Sequence, residues 1–358
     1  MDSIRSRRCF FGSSIGLLSV LGAIRSMNVL ADTVDSNSLV DSDTSEPIEE
    51  GTPVNRPIRA GMIGLDTSHV PAFTEWLQKN QTNPLVTGIE VVTAFPGGSI
   101  DIPSSANRVQ NFTNQLRQMG VKIVDSIEAM LQDVDVVFLE SVDGRPHFTQ
   151  AKPVLEARKP LFIDKPMAAS LTDVLSIFEL AKKCDTPVWS ASSLRYVPEY
   201  QQLRLGTSPL GMVRSCTAKS PCSFEPHHPD FYWYGIHGVE SLFTIMGTGC
   251  QCVRRVDKYT AIGTWKDGRK GTFAGAEKSP YEADVVAEHG QQTVGKYSGY
   301  GDLLLEICQF FRTRKVPVTQ EETVEIFAFM DAADESQRRN GDEVTLAEMV
   351  ELAHEKRS

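Results

Sequence analysis

Ile58-Arg59-Ala60-Gly61-Met62-Ile63-Gly64-Leu65-Asp66-Thr67-Ser68-His69 is the stretch on which the fold turns. Its apolar run to Leu65 reads as a buried strand, and Thr67 and Ser68 stand where a helix begins. Apolar residues at helical spacing then run from Val70 to Lys79. The alternation recurs downstream. Strands are expected at 89–95, 121–124, 134–139, 160–163 and 187–190, and helices at 110–119, 148–157 and 170–183. Asp125-Ser126-Ile127-Glu128 reads as a cap with Glu at its third position, opening a further short helix. Strands that are apolar throughout, separated by amphipathic helices, imply a parallel sheet covered on both faces. Ligands of such sheets bind beyond the carboxyl ends of the strands.

From Met212 the pattern changes. Short strands at 212–219, 253–259, 261–265, 271–276, 282–288 and 292–297 follow closely on one another, with Asp267-Gly268 as a hairpin turn. Helices are read at 237–246, 302–312 and 321–338. The fold class is therefore α/β. A Rossmann-like parallel sheet spans 56–192, and a C-terminal α+β domain with a largely antiparallel sheet spans 193–358.

The 358 residues suit about two domains. Acids outnumber bases 46 to 36, a net charge of −10, which argues against nucleic acid or an anionic membrane as partner. That acidity is uneven. Residues 32–55 hold seven Asp or Glu, no Lys or Arg and no aromatic, the composition of a disordered linker. Residues 1–31 combine Arg7-Arg8, Phe10-Phe11, an apolar stretch to Ile24 and Val29-Leu30-Ala31. These resemble a twin-arginine export signal with a cleavage site, so a periplasmic location is expected. The apolar run falls short of the roughly 20 residues of a membrane span, and no span is expected in the mature chain. Six cysteines follow the signal: 184, 216, 222, 250, 252 and 308. A Cys216–Cys222 bridge stays open, although a chain that folds before export does so under reducing conditions.

The turn after the first strand keeps only Gly64 of the three glycines of a dinucleotide fingerprint, and Asp66 puts an acid where the second would be. Thr67 and Ser68 could still meet a phosphate. Two later strand ends, Leu139-Glu140-Ser141 with His147 beyond and Ile163-Asp164-Lys165-Pro166, place polar side chains at the same edge. A lysine there is poised to meet a ligand. In the second half, Glu225-Pro226-His227-His228-Pro229-Asp230, Trp233, Tyr234, His237 and Glu240 form the densest polar segment. His237 and Glu240 share a helix face. No metal site is expected from His227, His228, Asp230, His237 or Glu240, because adjacent histidines rarely converge on one ion and no HExxH spacing is present. Arg195 and Tyr196, just past the last parallel strand, are candidate substrate contacts, as are His228, Trp233 and Tyr234.

Asp164-Lys165-Pro166 resembles the Glu-Lys-Pro motif of the Gfo/Idh/MocA oxidoreductases, and His147 matches that family's histidine after the preceding strand. Gly235-Ile236-His237-Gly238 and the segment from Pro317 to Leu346 are similar as well, so the resemblance covers about residues 57–350. It implies hydride transfer between a sugar, glycoside or cyclitol and NAD or NADP. Lys165 and His237 would then be the catalytic pair, with His237 as general acid/base. The family's Asp, four residues before this histidine, is Trp233 here, and Glu240 or His228 is expected in its place. The cofactor contacts implied are Gly64, Asp66, Thr67, Ser68, Ser141, His147, Asp164, Lys165 and Pro166. A homo-oligomer and a tightly bound cofactor are implied too, since no nicotinamide pool exists outside the cytoplasm. Two alternatives accompany this reading: redox-neutral, NAD-dependent glycoside cleavage, and a sugar-binding or scaffold protein without turnover.

Overall fold

Six parallel strands build the first sheet of the computed structural model, which describes residues 57–357. They are β1 (Ile58–Ile63), β2 (Ile89–Phe95), β3 (Lys122–Ile123), β4 (Val136–Leu139), β5 (Leu161–Asp164) and β6 (Val188–Ala191). The export signal and linker expected at 1–31 and 32–55 lie outside the described residues. Strand order is β3-β2-β1-β4-β5-β6, the doubly wound arrangement, with the switch point between β1 and β4. Every residue of β4, β5 and β6 is buried, which explains their unbroken apolar character. The intervening helices are α1 (His69–Lys79), α2 (Pro103–Gln118), α3 (Ile127–Leu131), α4 (His147–Glu156) and α5 (Leu171–Lys183).

Two of these differ from the sequence reading. Helix α2 starts at Pro103, two turns before the expected Gln110. Its first turns are polar and signal no helix, but Pro at the first position suits a helix start, and buried Ser105 is held by the fold. The cap of α3 is Ser126 rather than Asp125: its Oγ accepts the Ala129 N–H at 3.1 Å.

Past β6 a single 3-10 turn (Ser193–Tyr196) and α6 (Pro198–Arg204) lead into the second sheet. It comprises β7 (Val213–Pro221), β8 (Cys250–Arg255), β9 (Thr260–Trp265), β10 (Lys270–Ala276), β11 (Glu282–Ala287), β12 (Gly290–Val294) and, late in the chain, β13 (Val344–Thr345). The order is β12-β11-β7-β10-β9-β8-β13, antiparallel except for the β7–β10 pair. Between β7 and β8, α7 (Ile236–Met246) is buried at every position and lies against β7 and β10. Gly238 makes this approach feasible, since a Cβ there would stand 2.4 Å from the Phe273 ring. After β12 come α8 (Gly301–Thr313) and α9 (Gln320–Arg338), and α10 (Leu346–Glu355) follows β13. Helix α8 returns to the first sheet. Phe311 packs edge-on against Phe138 of β4 at 5.0 Å, and Phe310 against Trp189 of β6 at 5.9 Å. All six cysteines expected in the folded part are free thiols, so Cys216 and Cys222 are unbridged. Among the described residues no helix is long and apolar enough to cross a membrane.

Candidate active site

The segments that follow β1 and β6 meet α7 and the stretch between β12 and α8, and polar side chains collect there at the carboxyl ends of the first sheet. The turn after β1 is shaped by Gly64. It has φ +85°, and a Cβ on it would stand 2.2 Å from Ser141 Oγ and 2.4 Å from Ser141 N, so the β1 and β4 loops touch through a residue without a side chain. Asp66 does not face outward as its place in the turn suggests. It is fully buried, takes the Ser105 hydroxyl at 2.6 Å and the Val142 N–H at 3.0 Å, and so ties the β1 loop to the start of α2 and to the β4 loop. Burial raises its pKa in spite of these bonds.

His69, the first residue of α1, reaches across the switch point. Its Nδ1 is 2.7 Å from Asp164 Oδ2 and 3.9 Å from Glu140 Oε2, at the ends of β5 and β4. Burial alone would raise Asp164, yet His69 and Lys165 bring it down to about 2. Glu140 is the opposite case. It is wholly buried, neither carboxylate oxygen has a hydrogen-bond partner, and burial and then the Asp164 charge push its pKa well above the usual carboxylate range. Lys165 is 7% exposed, its peptide to Pro166 is cis, and its charge is felt by Glu140, Asp164 and His237.

His237 enters from α7. Its Nδ1 lies 2.7 Å from Ser192 Oγ, and that oxygen also accepts the Leu194 N–H at 3.2 Å. Burial, then the positive charge of Lys165, hold the imidazole pKa well below its ordinary value, so the ring is neutral near pH 7. Between His69 and His237 runs an arc of tyrosines. Tyr300 lies edge-on to His69 at 4.9 Å, and Tyr297 follows at 6.3 Å, then Tyr281 at 6.4 Å. The Tyr281 hydroxyl bonds that of Tyr234 at 3.1 Å, and Tyr234 stands edge-on to His237 at 5.1 Å. Lys165, His237, Tyr234 and Asp164 therefore share one polar, aromatic-walled site.

Other expected site residues serve the frame instead. Glu240 neither orients nor deprotonates His237 directly. Its two oxygens are taken by the Ser192 N–H and by Arg195 Nε, both at 2.7 Å, so it acts on the imidazole only by fixing Ser192. Arg195 is no substrate contact: it is 2% exposed and spans Glu240 and Glu322, each at 2.7 Å. Tyr196 packs on the first sheet's core with its hydroxyl enclosed. His147 is fully buried, with its ring nitrogens facing the carbonyls of Ser141 and Met167, so it braces the β4 and β5 loops. Ser141 Oγ donates to Gln150. His228 is enclosed between Asp143 at 3.2 Å and Glu225 at 3.0 Å, with Trp233 against its ring, and fastens the β4 loop to the second half. Gly64, Thr67, Ser68, Asp164 and Lys165 remain at the crevice, and Pro166 is buried behind it. The sequence reading missed His69, Glu140, Ser192, Tyr281, Tyr297 and Tyr300. Only Glu140 carried a local signal, as a polar residue directly following an apolar strand.

With Asp66 turned inward and Thr67 buried with its Oγ1 facing the His69 N–H at 3.4 Å, what the first turn exposes is Ser68 and the N-terminus of an 11-residue helix. This donor set fits a pyrophosphate.

Known proteins place this geometry. Residues 58–192 match the profile of the Gfo/Idh/MocA oxidoreductase family, NAD-binding Rossmann fold. No curated protein matches the chain. Among solved structures, scyllo-inositol dehydrogenase from Lactobacillus casei, with NAD(H) and scyllo-inositol bound, is 15% identical at a TM-score of 0.64, over 81% of this chain and 99% of its own. GenD2 of gentamicin A biosynthesis, in complex with NAD, is 12% identical at 0.64, over 84% and 99%. An NAD-binding protein from Listeria innocua is 14% identical at 0.61, over 82% and 98%. At such identities the likeness shows the fold alone. Taken with the profile match, residues 58–192 form a Rossmann domain similar to the NAD-binding domain of the Gfo/Idh/MocA oxidoreductases, and the chain as a whole shares the fold of these solved structures.

Proposed function

We propose that this protein oxidises or reduces one carbon of a sugar, glycoside or cyclitol, with Lys165 and His237 handling the substrate hydroxyl. The observation that carries the reading is their convergence. A lysine from the end of β5 and a neutral imidazole from α7 meet at one aromatic-walled site, although 72 residues of sequence separate them. A bound nicotinamide supplies the hydride acceptor or donor, and the Gly64–Ser68 turn with the α1 N-terminus would hold its pyrophosphate.

The protein's own residues do the rest. A Lys165 ammonium donates a hydrogen bond to the reacting oxygen and stabilises charge growing there as the O–H bond breaks. His237, held by Ser192, is neutral and so able to take that proton. Its orientation is set at one ring nitrogen, which leaves the other for the transfer. The tyrosine arc offers ring faces and hydroxyls suited to the mixed apolar and polar surface of a carbohydrate. Two finer parts of the proposal rest on sequence. The Arg7-Arg8 segment supports twin-arginine export to the periplasm, and folding before export supports a cofactor loaded in the cytoplasm and retained.

The test is turnover of a polyol and sugar panel, inositols included, followed by nicotinamide absorbance. Lys165→Ala and His237→Ala should each lower turnover by about 10²–10⁴-fold with circular dichroism unchanged. Absence of any nicotinamide nucleotide after denaturation, with no binding when it is added, would overturn the proposal. Replacing Arg7 and Arg8 by Lys should leave the protein in the cytoplasmic fraction; unchanged export would reject that route.

A further inference from the structure

We propose that His69, Glu140 and Asp164 bind one divalent transition-metal cation, Mn²⁺ or Zn²⁺, at the switch point of the first sheet. One donor atom from each, His Nδ1 and two carboxylate oxygens, lies within 4.8 Å of the others. The three come from separate elements, the start of α1 and the ends of β4 and β5, so their convergence is a product of the fold rather than of neighbouring sequence.

The second observation is Glu140. It is 0% exposed, and both of its oxygens lack a hydrogen-bond partner, the only carboxylate among the described residues in this state. A buried carboxylate without donors costs several kcal/mol, and the charge of Asp164 nearby adds to that cost. Protonation would remove the charge without solving the bonding problem, because the new O–H would have no acceptor. A cation answers both. It takes a lone pair from Glu140, one from Asp164 and one from the imidazole, and offsets two negative charges at once. The mixed nitrogen and oxygen donor set suits Mn²⁺ or Zn²⁺ better than Ca²⁺, which takes oxygen ligands. Metal bonds of roughly 2.0–2.2 Å set neighbouring donors about 3.0–3.6 Å apart, so Asp164 and His69 part by less than about 1 Å from their present 2.7 Å while Glu140 closes slightly on His69 from 3.9 Å. His69 is 14% exposed while Glu140 and Asp164 are enclosed, so the ion enters past the imidazole and the Tyr300 edge stacked on it. Three protein ligands leave further coordination positions for water or a hydroxyl oxygen.

In this arrangement Asp164 serves as a metal ligand, and Lys165 beside it keeps its own role. Metal content does not depend on turnover, so the inference stands or falls apart from the hydride-transfer reading. The full chain is purified without chelator, dialysed against Mn²⁺ or Zn²⁺, freed of excess, and assayed by elemental analysis alongside isothermal titration with each metal. About one equivalent is expected, with affinity falling at least tenfold in Glu140→Gln and in His69→Gln. Glu140→Gln replaces a buried charge by a neutral isostere, and its folding is checked by circular dichroism and by thermal unfolding without metal. Binding of less than about 0.1 equivalent by wild type would overturn the site. So would equal metal content in folded wild type and Glu140→Gln, which would mark an adventitious ion only.

Discussion

Glu240→Gln tests the frame that holds the candidate general base. Glu240 and Arg195 are 4% and 2% exposed, and the network closes on itself: Arg195 reaches Glu322, and Arg204 pairs with Glu322 in turn. Arg195, Glu240 and Glu322 are thus buried together, and Arg204, whose side chain is 29% exposed, completes the charge balance from the surface. Gln keeps the shape of Glu240 but leaves one positive charge in excess, and removing one partner of a buried pair costs about 3–5 kcal/mol. For roughly 300 ordered residues, unfolding entropy near 2.1 cal/mol/K per residue makes this a fall in Tm of about 5–8 °C. Calorimetry at pH 7 and low salt reads it directly. The companion variant is Arg195→Met with Glu240→Leu, which removes both ends of one arm and leaves Arg204–Glu322 intact. It should cost less than either single change, because no charge is left unpaired. A Tm drop below 2 °C in Glu240→Gln, or a double variant worse than both singles, would refute the reasoning.

Other outcomes follow from single contacts. Gly64→Ala forces a side chain into a positive-φ turn against Ser141 main chain and should destabilise by roughly 2–5 kcal/mol, read by urea unfolding; a neutral effect would show that the loops part freely. Phe310→Ala, which empties the contact between α8 and Trp189, should cost about 3–5 kcal/mol in the same assay. Burial would raise Asp143, but His228, Arg145 and Ser99 outweigh it and hold it far below its ordinary pKa. Its contribution is therefore full above pH ~4, the unfolded-state value, and is lost as pH falls further. Asp143→Asn should start less stable at pH 7 and show a shallower decline of Tm between pH 4.5 and 2.5. Parallel wild-type and variant profiles would mean that this carboxylate does not drive acid loss.

The first sheet was legible because β4, β5 and β6 are buried on both faces and their sequences show it without interruption. The start of α2 was not, since Ser105 is held there by Ser99 and by Asp66, a partner some forty residues away. Helix α10 carried a readable signal, Thr345 with Glu348 three residues on, and the observed cap uses it. At the site, Lys165 and His237 stood out as chemical groups in recognisable settings. Glu240 beside His237 on one helix face looked like its partner, yet Arg195 claims it from a turn that local spacing does not reveal. Ser192 and the tyrosines at 281, 297 and 300 look ordinary in sequence, and only the packing of the second half on the strand ends gives them a place.

Helix α8 has a consequence for synthesis. The wall that Phe310 and Phe311 place over β4 and β6 is encoded more than a hundred residues after β6 ends at Ala191. A ribosome adding about 5–20 residues per second needs on the order of 5–20 s to cover that interval. Throughout it, Phe162 and Trp189 lack the cover of α8 and Phe138 keeps only its contact with Phe73 of α1, and the nascent chain is open to wrong association. Early stop codons anywhere before Phe310 should therefore yield aggregates rather than a small soluble Rossmann fragment, and chaperone demand should peak in that window.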